Sequence, residues 1–225
     1  MDPTTNEFVY VPIPEARAMQ ATLATPYNLI HPALARFAAA HPDAPVRSVQ
    51  LPSNLISLNM HLDPDFGHLT YGDSGVRRGK PLAELRRGDV IVFYAGLRPV
   101  AACQHRLVYA LVGLYVVSEV VRLHSVAAPR WSENAHTRCV NHQGSDVIVR
   151  AEPGSSGRLC RCIPIGEFRD RAYRVTREIL EAWGGLSCRD GFLQRSAVLP
   201  SLLDPRRFIG WFERQGVEMV ISNNL

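Results

Sequence analysis

The groups in this chain that could do chemistry are concentrated in thirteen consecutive residues, His61-Leu62-Asp63-Pro64-Asp65-Phe66-Gly67-His68-Leu69-Thr70-Tyr71-Gly72-Asp73. The stretch holds three aspartates, two histidines, a threonine and a tyrosine. Proline restricts the residue before it to extended conformations, and glycine opens turns closed to other residues. With Pro64, Gly67 and Gly72 the stretch therefore reads as a rigid, turning loop rather than a regular strand or helix. Leu62, Phe66, Leu69 and Tyr71 call for burial, and carboxylates in a half-buried site need a hydrogen-bond donor, an arginine or a metal. The expectation is that His61, Asp63, Asp65 and Asp73 converge in one pocket, with His136 or Asn134 brought beside them. The competing structural reading is a loop whose aspartates cap backbone N–H groups or receive arginines.

Three chemistries fit these residue types. The spacing His61-x-Asp63 sets an imidazole and a carboxylate on one face of an extended strand. A distant histidine, with His124 and His136 as candidates, would complete the two-histidine, one-carboxylate triad of non-haem iron oxygenases. No arginine that would anchor a keto-acid cosubstrate stands out. Alternatively, Asp63, Asp65 and Asp73 could hold magnesium together with substrate phosphates, with Asp63 and Asp65 the first candidates as ligands of a divalent ion. In the third picture Trp131, Tyr71, Tyr94 and Phe66 sandwich an extruded base while Asn134 and Asp63 read its edge. Arg77, Arg78 and Lys80, with Arg86 and Arg87, would then meet phosphates. Aromatics at such spacings are more commonly core, and charge runs more commonly solvated. Cys139-x-x-His142 with Cys160-x-Cys162 departs from the usual zinc spacing, and the cysteines read as buried free thiols.

The elements that must position these groups follow from periodicity. Phe8 to Pro14 reads as an edge strand, because its two prolines exclude a central one. Asn28 to Ala40 has helical spacing, with Ile30, Leu34, Phe37 and Ala38 on one face and Pro32 tolerated only in the first turn. Val46 to Met60 reads as one or two short strands. Leu82 to Asp89 is a single helical turn closed by glycine, leading into the apolar strand Val90–Leu97. Leu107 to Val121 is too long for one flat strand, and Gly113 marks a bend or bulge in it. Asp146 to Arg150 is a short strand and Asp170 to Ala182 a helix. Pro205 to Arg214 is a second helix, and Val217 to Ile221 returns as a strand. The fold class expected is α+β, a single domain over residues 1–225 around a curled, mainly antiparallel sheet or partial β-barrel with flanking helices.

Composition agrees with a folded chain: 46% of its 225 residues are hydrophobic and 20% charged, outside the range of disordered sequences. Five cysteines, an odd number, argue against a disulfide framework and for a reducing, cytoplasmic setting. The polar, acidic start Met1-Asp2-Pro3-Thr4-Thr5-Asn6-Glu7 is unlike a signal peptide. The longest apolar run, Leu107 to Val117, falls well short of the roughly 20 residues a spanning helix needs, so no membrane is expected. The net charge of +4 is carried almost entirely by arginine, with Lys80 the single lysine. A GC-rich genome would produce that bias with no function attached, but arginine also forks onto phosphate and stacks on bases.

The blocks His61-Leu-Asp-Pro-Asp-Phe-Gly67, Thr70-Tyr-Gly-Asp73 and Leu85-x-x-Gly-Asp89-x-Ile-Val-Phe-Tyr-Ala-Gly-Leu97 resemble the nucleotide modification associated domain family, third type. Val11-Pro-Ile-Pro-Glu15, Asn134-Ala-His136, Trp183-Gly-Gly-Leu-Ser187 and Leu193-Gln-Arg-Ser196 add weaker similarity along the chain. The resemblance implies a role around modified nucleotides or bases in nucleic acid, and points to His61, Asp63, Asp65, Tyr71, Asp73 and His136. The functional expectation is an enzyme acting on a nucleotide or base through a His/Asp site, with nucleic acid or a nucleotide as partner. The alternative is a non-catalytic module that binds a modified base.

Overall fold

Two apolar runs on either side of the Arg98-Pro99 turn pair as a long antiparallel hairpin, and the rest of the chain is arranged around it. The computed structural model describes residues 1–42, 44, 49–76, 79–101, 103, 106–193 and 199–224. In chain order its regular elements are β1 (Ile13–Pro14), α1 (His31–Ala40), β2 (Met60–His61), β3 (Thr70–Ser74), α2 (Lys80–Ala83), β4 (Val90–Leu97) and β5 (Val108–Arg122). These are followed by α3 (Ala135–Arg138), β6 (Asp146–Ala151), β7 (Gly157–Pro164), β8 (Gly166–Arg169), β9 (Ala172–Val175), α4 (Arg177–Ala182), α5 (Pro205–Arg214) and β10 (Met219–Val220), with short 3-10 turns between. The main sheet runs β10-β7-β5-β6-β3 with β4 also on β5, and the pairs β1-β2 and β8-β9 stand apart from it. Among the described residues every strand pairing is antiparallel. The sheet is curled but not closed into a barrel. Among the described residues no helix is long and apolar enough to cross a membrane.

The curl has a local cause. Against β4 the register skips from Phe93↔Gly113 to Tyr94↔Leu111, so Val112 is the extra residue of a bulge. Bulges increase twist and bend the strand that carries them. A Cβ at Gly113 would lie 2.3 Å from Phe66 Cε1. Glycine is needed there because the ring of Phe66, from the His61–Asp73 stretch, sits directly on the strand. Phe66 is fully buried and meets Tyr10, Phe93 and Tyr115 edge-on. Phe66 and Leu69 thus plug the stretch into one face of the sheet. The other face is covered by Trp183 behind α4 and by Phe208, Trp211 and Phe212 of α5.

Several elements differ from the sequence reading. Thr70–Ser74 is a regular strand, not loop, because Gly72 pairs flat against Ile148 of β6. The helix expected from Asp170 is a hairpin first: Asp170 and Arg171 turn with φ of 50° and 61°, and β9 follows. Thr176 then caps a shorter α4 by accepting the Ile179 N–H. The expected strand Phe8–Pro14 pairs regularly only at Ile13–Pro14. The expected Val46–Met60 strands reduce, among the described residues, to a 3-10 turn at Ser53–Leu55 and the start of β2.

Candidate functional site

Three short elements deliver the site. β2 ends at His61, the chain turns through a cis Asp63–Pro64 peptide, and β3 begins at Thr70. Between them Asp65 and Thr70 exchange backbone hydrogen bonds at 2.9 and 3.1 Å. Asp65 Oδ1 accepts the N–H groups of Gly67 and His68 at 3.0 and 3.2 Å, which closes the small loop on itself. Opposite lies α3, opened by a capping box in which Asn134 Oδ1 accepts the His136 N–H and Thr137 Oγ1 accepts the Asn134 N–H. Asn134, His136 and Arg138 all point from this one turn toward the loop.

Asp63 lies at the centre. Its Oδ1 accepts the Gly72 N–H at 2.7 Å and the Asn134 amide at 3.1 Å. That leaves Oδ2 facing two imidazoles, 3.8 Å from His61 Nε2 and 3.6 Å from His136 Nε2. One donor atom from each of the three residues falls within 4.8 Å of the others. Donors bound to one ion through bonds of about 2.1 Å stand roughly 3.0–3.4 Å apart, so a bound ion would draw the three slightly together. Space at the cluster depends on Gly72, where a Cβ would come within 2.7 Å of both Asn134 Oδ1 and the His136 ring. Gly72→Ala should therefore displace His136, and a divalent ion held at the cluster would bind about tenfold or more weakly while the sheet stays folded. Ion titration alongside circular dichroism checks this.

Each imidazole is held from behind by a buried carboxylate. His61 Nδ1 donates to Glu15 Oε2 and His136 Nδ1 donates to Asp146 Oδ2, both at 2.6 Å. Such partners fix the tautomer, turn Nε2 toward a metal and raise its basicity. Burial alone would raise the Glu15 carboxyl, but hydrogen bonds from His61 and from the Arg17 backbone and side chain hold it down at about 2. Burial lowers His136, yet its hydrogen bonds to Asp146 and Asp63 outweigh that and bring the imidazole up to about 9. Neither carboxylate was singled out in the sequence as a site residue. Asp146 is ten residues from its histidine and Glu15 forty-six, with no motif spacing to join them.

The remaining expected residues are placed elsewhere. Asp65 is fully buried and bonded to the Arg138 guanidinium, to His68 Nδ1 at 3.1 Å and to the Asn223 amide at 2.9 Å. These partners outweigh the effect of burial and hold its carboxyl below the ordinary range. Arginine and backbone donors occupy both of its oxygens, so it is not brought to the cluster as a metal ligand or catalytic group. Alternation along β3 puts Gly72 on the His136 side and Tyr71 and Asp73 on the other. Tyr71 packs there against Phe93, 5.3 Å between ring centroids. Asp73 Oδ1 accepts the Ser74 N–H. Trp131 packs with Leu123 and Val126, and its indole N–H donates to the Val126 carbonyl. Arg77 and Arg78 lie outside the described residues. His124, the other candidate for the distal histidine, sits in the 3-10 turn after β5 and is not part of the cluster. Cys139 and Cys162 are buried free thiols.

A family model described as nucleotide modification associated domain 3 matches residues 3–181. No curated protein and no solved structure matches the chain. The matched span contains His61, Asp63, Asn134, His136 and both carboxylates behind the histidines, whereas α5, β10 and Asn223 lie beyond it. The chain therefore belongs to the nucleotide modification associated domain 3 family, which links its role to the modification of nucleic acid.

Proposed function

We propose that this protein is a metal-dependent enzyme acting on a nucleotide or on a base in nucleic acid, with His61, Asp63 and His136 holding one divalent ion. One observation carries the reading: two histidine Nε2 atoms, each with its Nδ1 donated to a buried carboxylate, converge on Asp63 Oδ2. Two nitrogens and one oxygen from the protein leave the rest of the coordination sphere to water and substrate, which is the layout of a catalytic rather than a structural site. When bound, the ion would supply Lewis acidity and an activated water, or, as iron, a place for dioxygen. The chain's own part is to orient the donors, through Asn134 and the Gly72 N–H on Asp63 and through Glu15 and Asp146 on the histidines. The binding-module alternative gains less from the geometry, since Tyr71 packs on Phe93 and Trp131 in the Leu123–Val126 cluster.

The test is reconstitution. Metal-stripped protein is loaded anaerobically with iron(II), manganese(II) or zinc(II) and incubated with nucleotides, DNA and RNA, and the nucleosides are read by mass spectrometry. One ion per chain and a mass change that appears only in loaded samples is the expected result. A wild-type chain that takes up none of these ions, or a modification indifferent to chelator, would count against the proposal.

A further inference from the structure

We infer that the segment from Ile13 to Gln20 is a positioning strap for the metal centre, with Arg17 as the hub that ties its two histidines together; this rests on the metal reading above. β2, which ends in His61, is not part of the main sheet and, among the described residues, its strand partner is β1 alone. His136 belongs to α3 on the other side of the cluster. The strap joins the two. At its start Ile13 pairs with His61 and Pro14 with Met60, and the Glu15 N–H donates to the Asn59 carbonyl at 2.9 Å. At its end Met19 bridges Cys139, the Gln20 N–H donates to the Arg138 carbonyl at 2.9 Å, and the Val140 N–H donates to the Ala18 carbonyl at 2.9 Å. The Gln20 amide adds bonds to the carbonyls of Thr137 and Cys139 at 3.3 and 3.4 Å.

Between these anchors the side chains reach the site. Glu15 Oε1 accepts the Arg17 N–H and Nε at 2.9 and 3.2 Å, while Oε2 accepts from His61. Arg17 Nη1 lies 3.5 Å from Asp146 Oδ2, the same oxygen that receives His136 Nδ1. One guanidinium thus spans the two carboxylates that aim the two metal-binding imidazoles. Both carboxylates are almost wholly buried, at 3% and 2% side-chain exposure, so their orientation is set by these contacts and not by solvent. The charges complete the picture. Asp63, Glu15 and Asp146 against Arg17 leave two negative charges when both imidazoles are neutral, which one divalent cation balances. Two imidazole protons can balance the same charge, so a bound cation would take their place where the ring nitrogens meet.

Cobalt(II) provides the readout, because its visible spectrum reports coordination geometry as well as occupancy. Metal-stripped full-length protein is titrated with cobalt(II) as wild type, Arg17→Gln, Arg17→Lys, Glu15→Gln and Asp146→Asn, with thermal melts run in parallel. Glu15→Gln and Asp146→Asn should each weaken cobalt binding about 10–100-fold, the range found for partners behind a metal ligand. Arg17→Gln, one contact further out, should weaken it up to about tenfold and alter the spectrum, and Arg17→Lys should recover part of the affinity. If wild type binds cobalt and the variants only melt earlier, with unchanged affinity and spectrum, the strap is structural and the inference fails alone. A wild-type chain that binds no cobalt removes the metal reading and the inference with it. If Arg17→Gln does not fold, the two isosteric carboxylate variants decide by the same criteria.

Discussion

Asp63→Ala protein should keep its fold and lose its divalent ion, with affinity falling by more than about 100-fold and turnover falling with it. Asp63 provides the only carboxylate of the three-residue cluster, so its loss leaves two imidazoles and no anionic ligand. Removing a group behind a metal ligand costs about 10–100-fold, and removing the ligand itself should exceed that range. Its other oxygen spans the Gly72 N–H and the Asn134 amide. The alanine protein therefore also leaves the Gly72 N–H without its acceptor and Asn134 with only its bonds to Thr70 and His136. Asp63→Asn separates these effects: the side chain can still accept those two hydrogen bonds, but it brings no charge to the ion. Both variants should fail to retain metal through gel filtration, measured by elemental analysis, while Asp73→Asn, on the opposite face of β3, should retain it. Retention by Asp63→Asn at wild-type stoichiometry would remove Asp63 from the centre.

What the sequence revealed of this centre, and what it hid, has a physical pattern. His61-x-Asp63 was legible because two-residue spacing has a fixed meaning in extended backbone. From residue types alone His136 was one of two distant histidines. The family resemblance through Asn134-Ala-His136 set it apart from His124, and in space the choice is made by α3 folding over β3. Asp65 was misread for a related reason. Clustered carboxylates imply a need for compensation, but the sequence does not say whether metal or arginine meets it, and Arg138 is seventy-three residues away. The aromatic residues Tyr71 and Trp131 followed the commoner rule and joined hydrophobic clusters. In the fold, β4, β5 and α5 matched their periodicities closely, since each is a long amphipathic or apolar segment with clear stops, and the short β6 was marked by its β-branched run. The turn and second strand of the β8–β9 hairpin fell within the helix expected from Asp170, because the turn uses Asp170 and Arg171 at positive φ in place of the glycine or asparagine that marks such turns. Gly113 was legible as an irregularity, but its reason, the ring of Phe66 lying against it, is a contact between distant parts of the chain.

The largest loss of stability should come from Arg138→Met. Arg138 and Asp65 are both buried, with side-chain exposures of 4% and 0%, and breaking such a pair on one side leaves a charge in the interior at a cost of about 3–5 kcal/mol. A domain of this size is stable by only about 5–15 kcal/mol, so the variant should unfold at much lower denaturant. Asp65 also holds the Gly67 and His68 N–H groups and the Asn223 amide, and its carbonyl accepts the Tyr115 hydroxyl at 2.9 Å. Disturbing it should loosen the loop that carries Asp63. The double variant Asp65→Asn/Arg138→Met removes both charges and keeps a side-chain acceptor for the loop N–H groups, so it should recover part of the stability lost in Arg138→Met. The pH dependence has a definite sign. The Asp65 carboxyl is held below its ordinary value, so its contribution is complete above the unfolded carboxyl's pKa of about 3.9. It is lost as pH falls through the lower folded value. Arg138→Met should flatten that acid limb in urea melts run at successive pH values. A single variant within about 1 kcal/mol of wild type, with the acid limb unchanged, would mean that the loop is held by its backbone bonds and by Phe66 on Gly113, and that the ion pair contributes little to placing Asp63.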